Sequence, residues 1–345
     1  MTASAASAVD RGAAGDGIPA GLERVLFTPT SVAFAGIAAG FVLLDLARVQ
    51  VPYAVQVVPF AVSVLLFGLP HGALDHLVPA RLDRRLSIRR SITAVVALYA
   101  VLGGATALLW RLEPVAGFAA FIAVTWFHWG QGDLWLDRAR RAAAGSRADG
   151  VLTVLVRGTL PMLLPLVSHP DEYAGVLQAT TRLVDPAAVP DPDVLLAWPV
   201  RLTGAVLIVV LIAAHLLVRR RRAALRGSVA EIVVLAAFFT AVPPVLAVGL
   251  YFTFWHAVRH IVRLELLEPD GRARLERGDL LRPFARFLRD ALPVTLCAIA
   301  LLVVVAVSVR AAGLGTYLLL IAALTTPHTA VVIWMDRHPV RMRSQ

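Results

Sequence analysis

The chain has 345 residues, of which 58% are hydrophobic and only 16% are charged. A soluble domain carries about 25% charged residues, whereas apolar runs of about 20 residues, each long enough to span a bilayer as a helix, recur along most of this sequence. The net charge of +10 does not indicate a nucleic-acid partner, because the basic residues, all of them arginine, fall in short segments between the apolar runs. Disulfides and thiolate metal sites are excluded, since the only cysteine is Cys297.

The predicted elements form an all-α, polytopic transmembrane bundle in the lipid bilayer of the cell membrane. Residues 1–25 are rich in Ala and Gly, and we expect a disordered cytoplasmic tail there rather than a signal peptide. Residues 26–337 are predicted to be a single transmembrane catalytic domain, and 338–345 a basic cytoplasmic tail. About ten spans (8–10) are expected, at 30–47, 52–70, 92–110, 115–135, 151–167, 198–218, 229–243, 244–263, 291–310 and 315–335.

The boundary between residues 243 and 244 has two interpretations. Residues 229–263 form one apolar stretch that is too long for one ordinary span, and Pro243 and Pro244 stand at its middle, where prolines stop helices. A tight hairpin of two short spans and one long kinked helix are both compatible with this pattern.

Arginine placement predicts the orientation. Five Arg-rich segments (81–90, 137–149, 219–226, 263–290 and 337–345) fall on one side of a ten-span chain. The long opposite loop, 168–200, is acidic. The positive-inside rule therefore predicts that the N-terminus and the C-terminus are both cytoplasmic.

Histidines are the polar residues that stand out within the spans. Such residues are expensive in a bilayer and usually functional. In chain order, His71 and His76 follow the second span, His128 lies in the fourth, His256 and His260 in the eighth, and His328 in the tenth. All four spans run inward, so these six residues are predicted to reach one layer in the cytoplasmic half of the membrane.

Two spacings favour a metal site over isolated histidines. His256 and His260 are separated by four residues, so on a helix they share a face and can chelate one ion. His71 and Asp75 have the same spacing, and Asp75 is predicted to accept the second ring N–H of a histidine. Asp133, in the fourth span, is likewise predicted to accept the second ring N–H of a histidine.

The remaining polar and aromatic residues carry further expectations. His169, His215 and His338 are interpreted as surface residues, and Arg157 is expected to neutralise a buried carboxylate. Aromatic residues near the histidine layer are typical either of an interfacial belt or of an apolar substrate tunnel. The tunnel candidates are Trp126, Phe127, Trp129, Tyr251, Phe254 and Trp255.

An all-imidazole site suits Fe, Cu, Zn or Ni, and spacing alone does not choose among them. Four imidazoles leave two open positions on an octahedral Fe(II), enough for O₂, but leave a tetrahedral Zn(II) closed. No nicotinamide or flavin motif is present.

Four motifs together resemble the Brp/Blh family of membrane-embedded β-carotene 15,15′-dioxygenases. They are Gly68-Leu-Pro-His71-Gly-Ala-Leu-Asp75-His76, Phe127-His128-Trp-Gly-Gln-Gly-Asp133, Trp255-His256-Ala-Val-Arg259-His260 and Thr326-Pro-His328. The resemblance implies Fe(2+) as cofactor, β-carotene and O₂ as substrates, and all-trans-retinal as product, for delivery to a microbial rhodopsin. It implies metal ligation by His71, His128, His256 and His260. His76 and His328 are expected either to support these ligands by hydrogen bonds or to serve as alternate ligands, and no catalytic residue beyond the metal site is implied.

Four other functions were weighed. A retinal pigment needs a lysine for its Schiff base, and the chain has none. A membrane di-iron desaturase needs adjacent histidine pairs, which are also absent. A metal-ion or proton-coupled transporter favours carboxylates and broken helices near the midplane, whereas histidines outnumber carboxylates within these spans. The transporter stays open as an alternative. A non-catalytic rhodopsin assembly factor stays open as an alternative.

Overall fold

The computed structural model describes residues 18–83, 85–141, 146–220, 225–311 and 313–338. Within these ranges the chain is mainly helical and contains no strand. The principal helices are α1 (Glu23–Leu46), α2 (Tyr53–Gln56), α3 (Val58–Leu65), α4 (Val78–Leu82), α5 (Ile88–Leu112), α6 (Pro114–Arg141), α7 (Arg147–Ser168), α8 (Pro170–Val184), α9 (Asp193–Leu196), α10 (Trp198–Arg219), α11 (Leu225–Ala241), α12 (Pro244–Leu266), α13 (Pro269–Glu276), α14 (Leu281–Ser308) and α15 (Leu314–Arg337).

Seven of the described helices are long and apolar enough to cross a bilayer, namely α1, α5, α7, α10, α12, α14 and α15. They coincide with seven of the ten expected spans, and they indicate a multi-pass membrane protein. Their outward faces carry exposed large apolar side chains such as Leu108, Val209 and Val303, which suit lipid rather than water. The count of ten spans and the placement of the termini stay predictions.

The three other expected spans differ from apolar transmembrane helices. The span at 52–70 is divided between α2 and α3, and the chain then leaves the α-helix at Leu66. The span at 115–135 lies in the 28-residue α6, which is less apolar because it carries His128, Gln131 and Asp133. The span at 229–243 lies in α11, which has only 17 residues.

The boundary at 243/244 is a hairpin, as the two-span alternative predicted. Helix α11 ends at Ala241 and α12 begins at Pro244. The two helices return antiparallel, because the rings of Phe239 and Tyr251 lie 5.4 Å apart and Arg259 reaches Glu231. The tandem prolines end one helix and start the next, since proline lacks the N–H that a helix interior requires.

Several other expectations were wrong. The segment 168–200 is not a loop, because it contains the 15-residue amphipathic helix α8. His215 is fully buried rather than on the surface, and its Nε2 lies 2.9 Å from Ser228 Oγ. His169 is half-buried beside the Thr240 carbonyl, whereas His338 is exposed as expected.

The expected terminal tails lie largely outside the described residues, which exclude 1–17 and 339–345. Residues 20–25 of the expected N-terminal tail are instead helical, and Leu22 is fully buried. Leu22 packs with Phe27, Leu136 and Val262, and this burial gives the segment a reason to order.

Candidate metal centre and substrate cavity

Five buried histidines meet at one point inside the bundle. His128 comes from α6, His256 and His260 from α12, and His328 from α15, while His71 lies in a 3₁₀ turn between α3 and α4. The ring of His71 lies 4.8 Å from that of His328, 5.4 Å from His256 and 5.6 Å from His260. The ring of His128 lies 4.7 Å from both His256 and His328. We call these five residues the histidine cluster.

The segment that carries His71 is irregular for a local reason. Pro70 starts a 3₁₀ turn at Pro70–Gly72, and Asp75–Leu77 forms a second one. Gly68 permits the close approach of this segment to the bundle, because a Cβ there would clash with Ser63 and with the ring of Phe252. His71 and Asp75 therefore do not lie on one regular helix, contrary to the expectation from their spacing.

A wide turn places His256. Residues Tyr251–His256 form a π-helix inside α12, between the α-helical parts Pro244–Leu250 and Ala257–Leu266. Insertions of this kind are frequent at functional sites because they rotate the side chains that follow. Here His256 and His260 both face the ring of His71.

The nitrogen positions fit a metal ion. Candidate ligand atoms of His71, His128 and His328 all lie within 4.8 Å of one another, close to the span of about 4 Å between opposite ligands of one ion. The Nε2 atoms of His128 and His256 are 3.0 Å apart, the separation of adjacent ligands with bonds of about 2.1 Å at a right angle. The buried His260 Nε2 and His328 Nε2 have no hydrogen-bond partner within the described residues.

Two acceptors fix ring orientation in the cluster. Asp75 Oδ2 accepts the Nδ1–H of His328 at 2.7 Å and the hydroxyl proton of Tyr99 at 2.7 Å. The Gly68 carbonyl accepts from His71 Nδ1. Each bond places the proton on Nδ1 and leaves the Nε2 lone pair for a ligand, as partners of metal-bound histidines do.

Asp75 belongs to a second group of possible ligands with His260 and His328, again within 4.8 Å. Its other oxygen, Oδ1, is buried with no partner among the described residues. The pattern contains histidine nitrogens and one carboxylate, a set that suits iron, zinc or copper.

Asp133 has a different partner from the one expected. It accepts a hydrogen bond from Arg259 Nη1 at 2.6 Å and from Trp255 Nε1 at 3.3 Å, rather than from a histidine. The Arg259 guanidinium also stacks on the Trp255 ring at 3.8 Å. These contacts join α6 to α12 beside His256 and hold the π turn in place.

Glu231 on α11 gathers three arginines. It accepts from Arg157 and Arg140, both at 2.7 Å, and from Arg259 at 3.2 Å. The expectation that Arg157 neutralises a buried carboxylate is confirmed. The group extends the Asp133–Arg259 contact and ties α6, α7, α11 and α12 together.

An apolar cavity of about 320 Å³ borders the cluster. His71, His128 and His328 form part of its wall. The rest of the wall is mainly aromatic and aliphatic and includes Phe60, Phe118, Phe121, Phe252, Tyr317 and Leu318. The cavity reaches the outer surface of the bundle at α14, since Val294, Cys297 and Leu301 line it and are exposed.

Only Trp129 among the six tunnel candidates lines this cavity. Tyr251 and Trp255 are fully buried in the neighbouring apolar core, and Trp126 donates its Nε1 proton to the Leu155 carbonyl. Phe127 and Phe254 are exposed on the outside of the bundle. The physical reason is helix geometry. Successive side chains on a helix point about 100° apart, so residues one or two positions from a cluster histidine point away from the site.

Comparison with known proteins places the chain in a family. The family described as Beta-carotene 15,15'-dioxygenase matches residues 62–336. The chain is 39% identical to the probable beta-carotene 15,15'-dioxygenase Blh of Halobacterium salinarum, with 92% of this chain and 98% of the relative covered. The chain belongs to the β-carotene 15,15′-dioxygenase family.

A second relative from the same organism carries the same description. The probable beta-carotene 15,15'-dioxygenase Brp of the same organism is 27% identical, with 94% of each chain covered. No solved structure matches. The family match spans residues from α3 to α15 and so includes the whole histidine cluster.

Within this member of the family, His328 lies among the histidine nitrogens, although the sequence favoured it only as an alternate ligand. His76 is half-buried outside the cluster, and its Nδ1 lies 2.9 Å from the Ala73 carbonyl. Sequence reasoning missed Tyr99, because a tyrosine in the apolar α5 carries no local signal of the carboxylate that it contacts.

Proposed function

We propose that this chain is a membrane-embedded non-haem iron dioxygenase that cleaves β-carotene at the 15,15′ double bond with O₂, giving two all-trans-retinal molecules. The observation that carries the proposal is the position of the histidine cluster in the wall of an apolar cavity. Candidate ligand nitrogens there border a cavity whose wall suits an apolar substrate. The names of both Halobacterium salinarum relatives support the substrate.

The residues that would hold the ion are His71, His128, His256, His260 and His328, a set that differs from the four expected ligands by including His328. Fe(2+), when bound, supplies the activation of O₂ that no protein side chain provides. Cleavage of one C=C bond by one O₂ gives two aldehydes, so the reaction balances without an external reductant or proton.

The protein's own residues prepare the site. Asp75 holds the Nδ1 proton of His328, and the Gly68 carbonyl holds that of His71, so both rings keep their Nε2 lone pairs directed away from these acceptors. The aromatic wall excludes water and orients a polyene along the cavity. No side chain is required as a general acid or base.

A substrate dissolved in the bilayer suits the lateral opening at α14. β-Carotene would enter past the face of α14 that carries Val294 and Leu301 without crossing water, and retinal would leave into the lipid, from which a microbial rhodopsin would take it. In this proposal the chain lies in the plasma membrane, with ten spans and both termini in the cytoplasm.

Expression in a carotene-producing bacterial host tests the function. The proposal requires loss of the orange colour and appearance of retinal in the extract. Retained carotene, in cells where the folded protein is present and iron is supplied, would contradict it. A transporter or an assembly factor would leave the carotene intact.

A further inference from the structure

A carboxylate at the edge of the bundle is connected to the histidine cluster by polar side chains. Asp336 lies near the end of α15, and its side chain is 33% exposed. It accepts a hydrogen bond from Gln131 Nε2 at 2.6 Å and forms an ion pair with Arg263. Both partners are buried. We call Asp336, Gln131 and Arg263 the Asp336 gate.

The gate is one helical turn from the cluster. Gln131 follows His128 by three residues on α6, and Arg263 follows His260 by three residues on α12. Three residues correspond to about 4.5 Å along a helix. The gate therefore stands between the surface and the two histidines.

Two buried polar atoms at the gate have no hydrogen-bond partner. Within the described residues, these atoms are Gln131 Oε1 and Arg263 Nη1. Leaving such atoms without a hydrogen bond is unfavourable, so they mark a place where water or an ion is accommodated. Amide oxygen and imidazole nitrogen are also ligands for divalent cations.

A buried metal site needs a polar path, and the opposite side of the cluster is an apolar cavity. A hydrated dication does not cross an aromatic wall, because the cost of desolvating it is prohibitive. We propose that the Asp336 gate admits the divalent metal ion to the histidine cluster, with the Asp336 carboxylate attracting the ion and Gln131 Oε1 passing it on. This inference rests on the proposed metal site but not on the carotene reaction.

The charges of the gate predict opposite effects for its two ionic residues. Asp336 attracts a dication, whereas Arg263 repels it and occupies the carboxylate. An incoming ion displaces Arg263 from Asp336. A purely structural clamp would instead be weakened by loss of either partner, so the two roles differ in sign.

The test measures metal uptake, with cobalt(II) as the probe. The full-length protein in lipid nanodiscs is stripped with a chelator and mixed with cobalt(II), and the absorbance of the bound ion is followed in time. We expect Asp336→Asn to slow uptake about tenfold, as loss of an attracting charge does. Arg263→Gln should accelerate it, and Asp336→Glu should keep the wild-type rate.

Asp270 provides the matched control. It is an exposed carboxylate on α13 that pairs with Arg274 and Arg286, and within the described residues neither arginine bonds to a histidine of the cluster. Asp270→Asn should leave the rate unchanged, and every variant should reach the same cobalt stoichiometry and final spectrum.

An unchanged rate in Asp336→Asn would overturn the gate, and so would slower uptake in both Asp336→Asn and Arg263→Gln. A wild-type protein that binds no cobalt would contradict the metal site itself, and the gate with it. Normal cobalt uptake through the gate in a protein that leaves carotene intact would contradict the proposed reaction alone.

Discussion

His328 Nδ1 lies 2.7 Å from Asp75 Oδ2 although 253 residues separate them in the chain. Tyr99 binds the same carboxylate oxygen from a third helix. The hydrogen bond between His328 and Asp75 orients the His328 ring, because the carboxylate keeps the proton on Nδ1 and leaves Nε2 free.

Replacing Asp75 by Asn tests this orientation. The amide cannot serve as an equally strong acceptor for both Tyr99 and His328, so metal affinity should fall about 10–100-fold. Titration of the stripped protein with iron(II) under anaerobic conditions measures it. Tyr99→Phe removes only one bond to Asp75 and should have a smaller effect. Wild-type iron affinity in Asp75→Asn would refute the role of Asp75 in orienting His328.

Replacing His328 by Ala tests its place among the ligands. We expect iron affinity to fall more than tenfold, because His328 Nε2 is a buried and unpaired nitrogen in the cluster. His215 is the control, since it is equally buried but lies beside Ser228, away from the cluster. His215→Ala should keep the wild-type iron affinity in the same anaerobic titration. Equal iron affinities in the two variants would exclude His328 from the ligands.

Replacing Glu231 by Gln tests whether the ion pairs of Glu231 with three arginines stabilise the packing of α6, α7, α11 and α12. Three arginines would lose their shared counter-charge, and removal of one partner of a buried ion pair costs about 3–5 kcal/mol. Unfolding in detergent, followed by circular dichroism, should show the loss. Glu268→Gln removes the partner of Arg81 in a more exposed pair and should cost less than about 1 kcal/mol. Similar free energies of unfolding for both variants would argue against a stabilising role of the Glu231 ion pairs.

Replacing Cys297 by Trp tests the lateral opening. Cys297 lines the cavity and is exposed at the lipid-facing side of α14, so a large ring there should obstruct the passage without disturbing the core. Carotene cleavage should slow about tenfold or more, in the range that misplacement of a substrate produces, while iron content stays unchanged. Cys297→Ala should behave as the wild type. A normal rate in the Trp variant would place the substrate path elsewhere.

The sequence predicted that six histidines reach one layer, and five of the six lie together in the structure. The topology behind that prediction, ten spans with the histidine-bearing spans running inward, stays a prediction. The prolines at 243 and 244 also signalled the hairpin, although they left a kinked helix open. His76 lies outside the cluster because the chain forms 3₁₀ turns after Leu69, a conformation that spacing rules for regular helices do not describe.

Contacts between distant side chains were beyond the sequence. The sequence favours a surface position for His215, because a run of arginines follows it. In the structure Arg219, the first of these arginines, is buried and pairs with Asp137 and Asp149. The aromatic residues next to the histidines were expected in the tunnel, but helix rotation directs Phe127 and Phe254 outward. The cavity wall uses aromatic residues from other helices, such as Phe121 and Tyr317.

The most direct measurement is retinal formation by purified protein loaded with iron(II) and supplied with β-carotene and O₂. The account predicts two retinal molecules for each carotene consumed, activity that disappears after chelation and returns with iron(II), and no activity in His328→Ala while His215→Ala remains active. Equal retinal formation by the chelator-stripped protein, or by His328→Ala, would contradict the claim that the histidine cluster holds the metal that cleaves carotene.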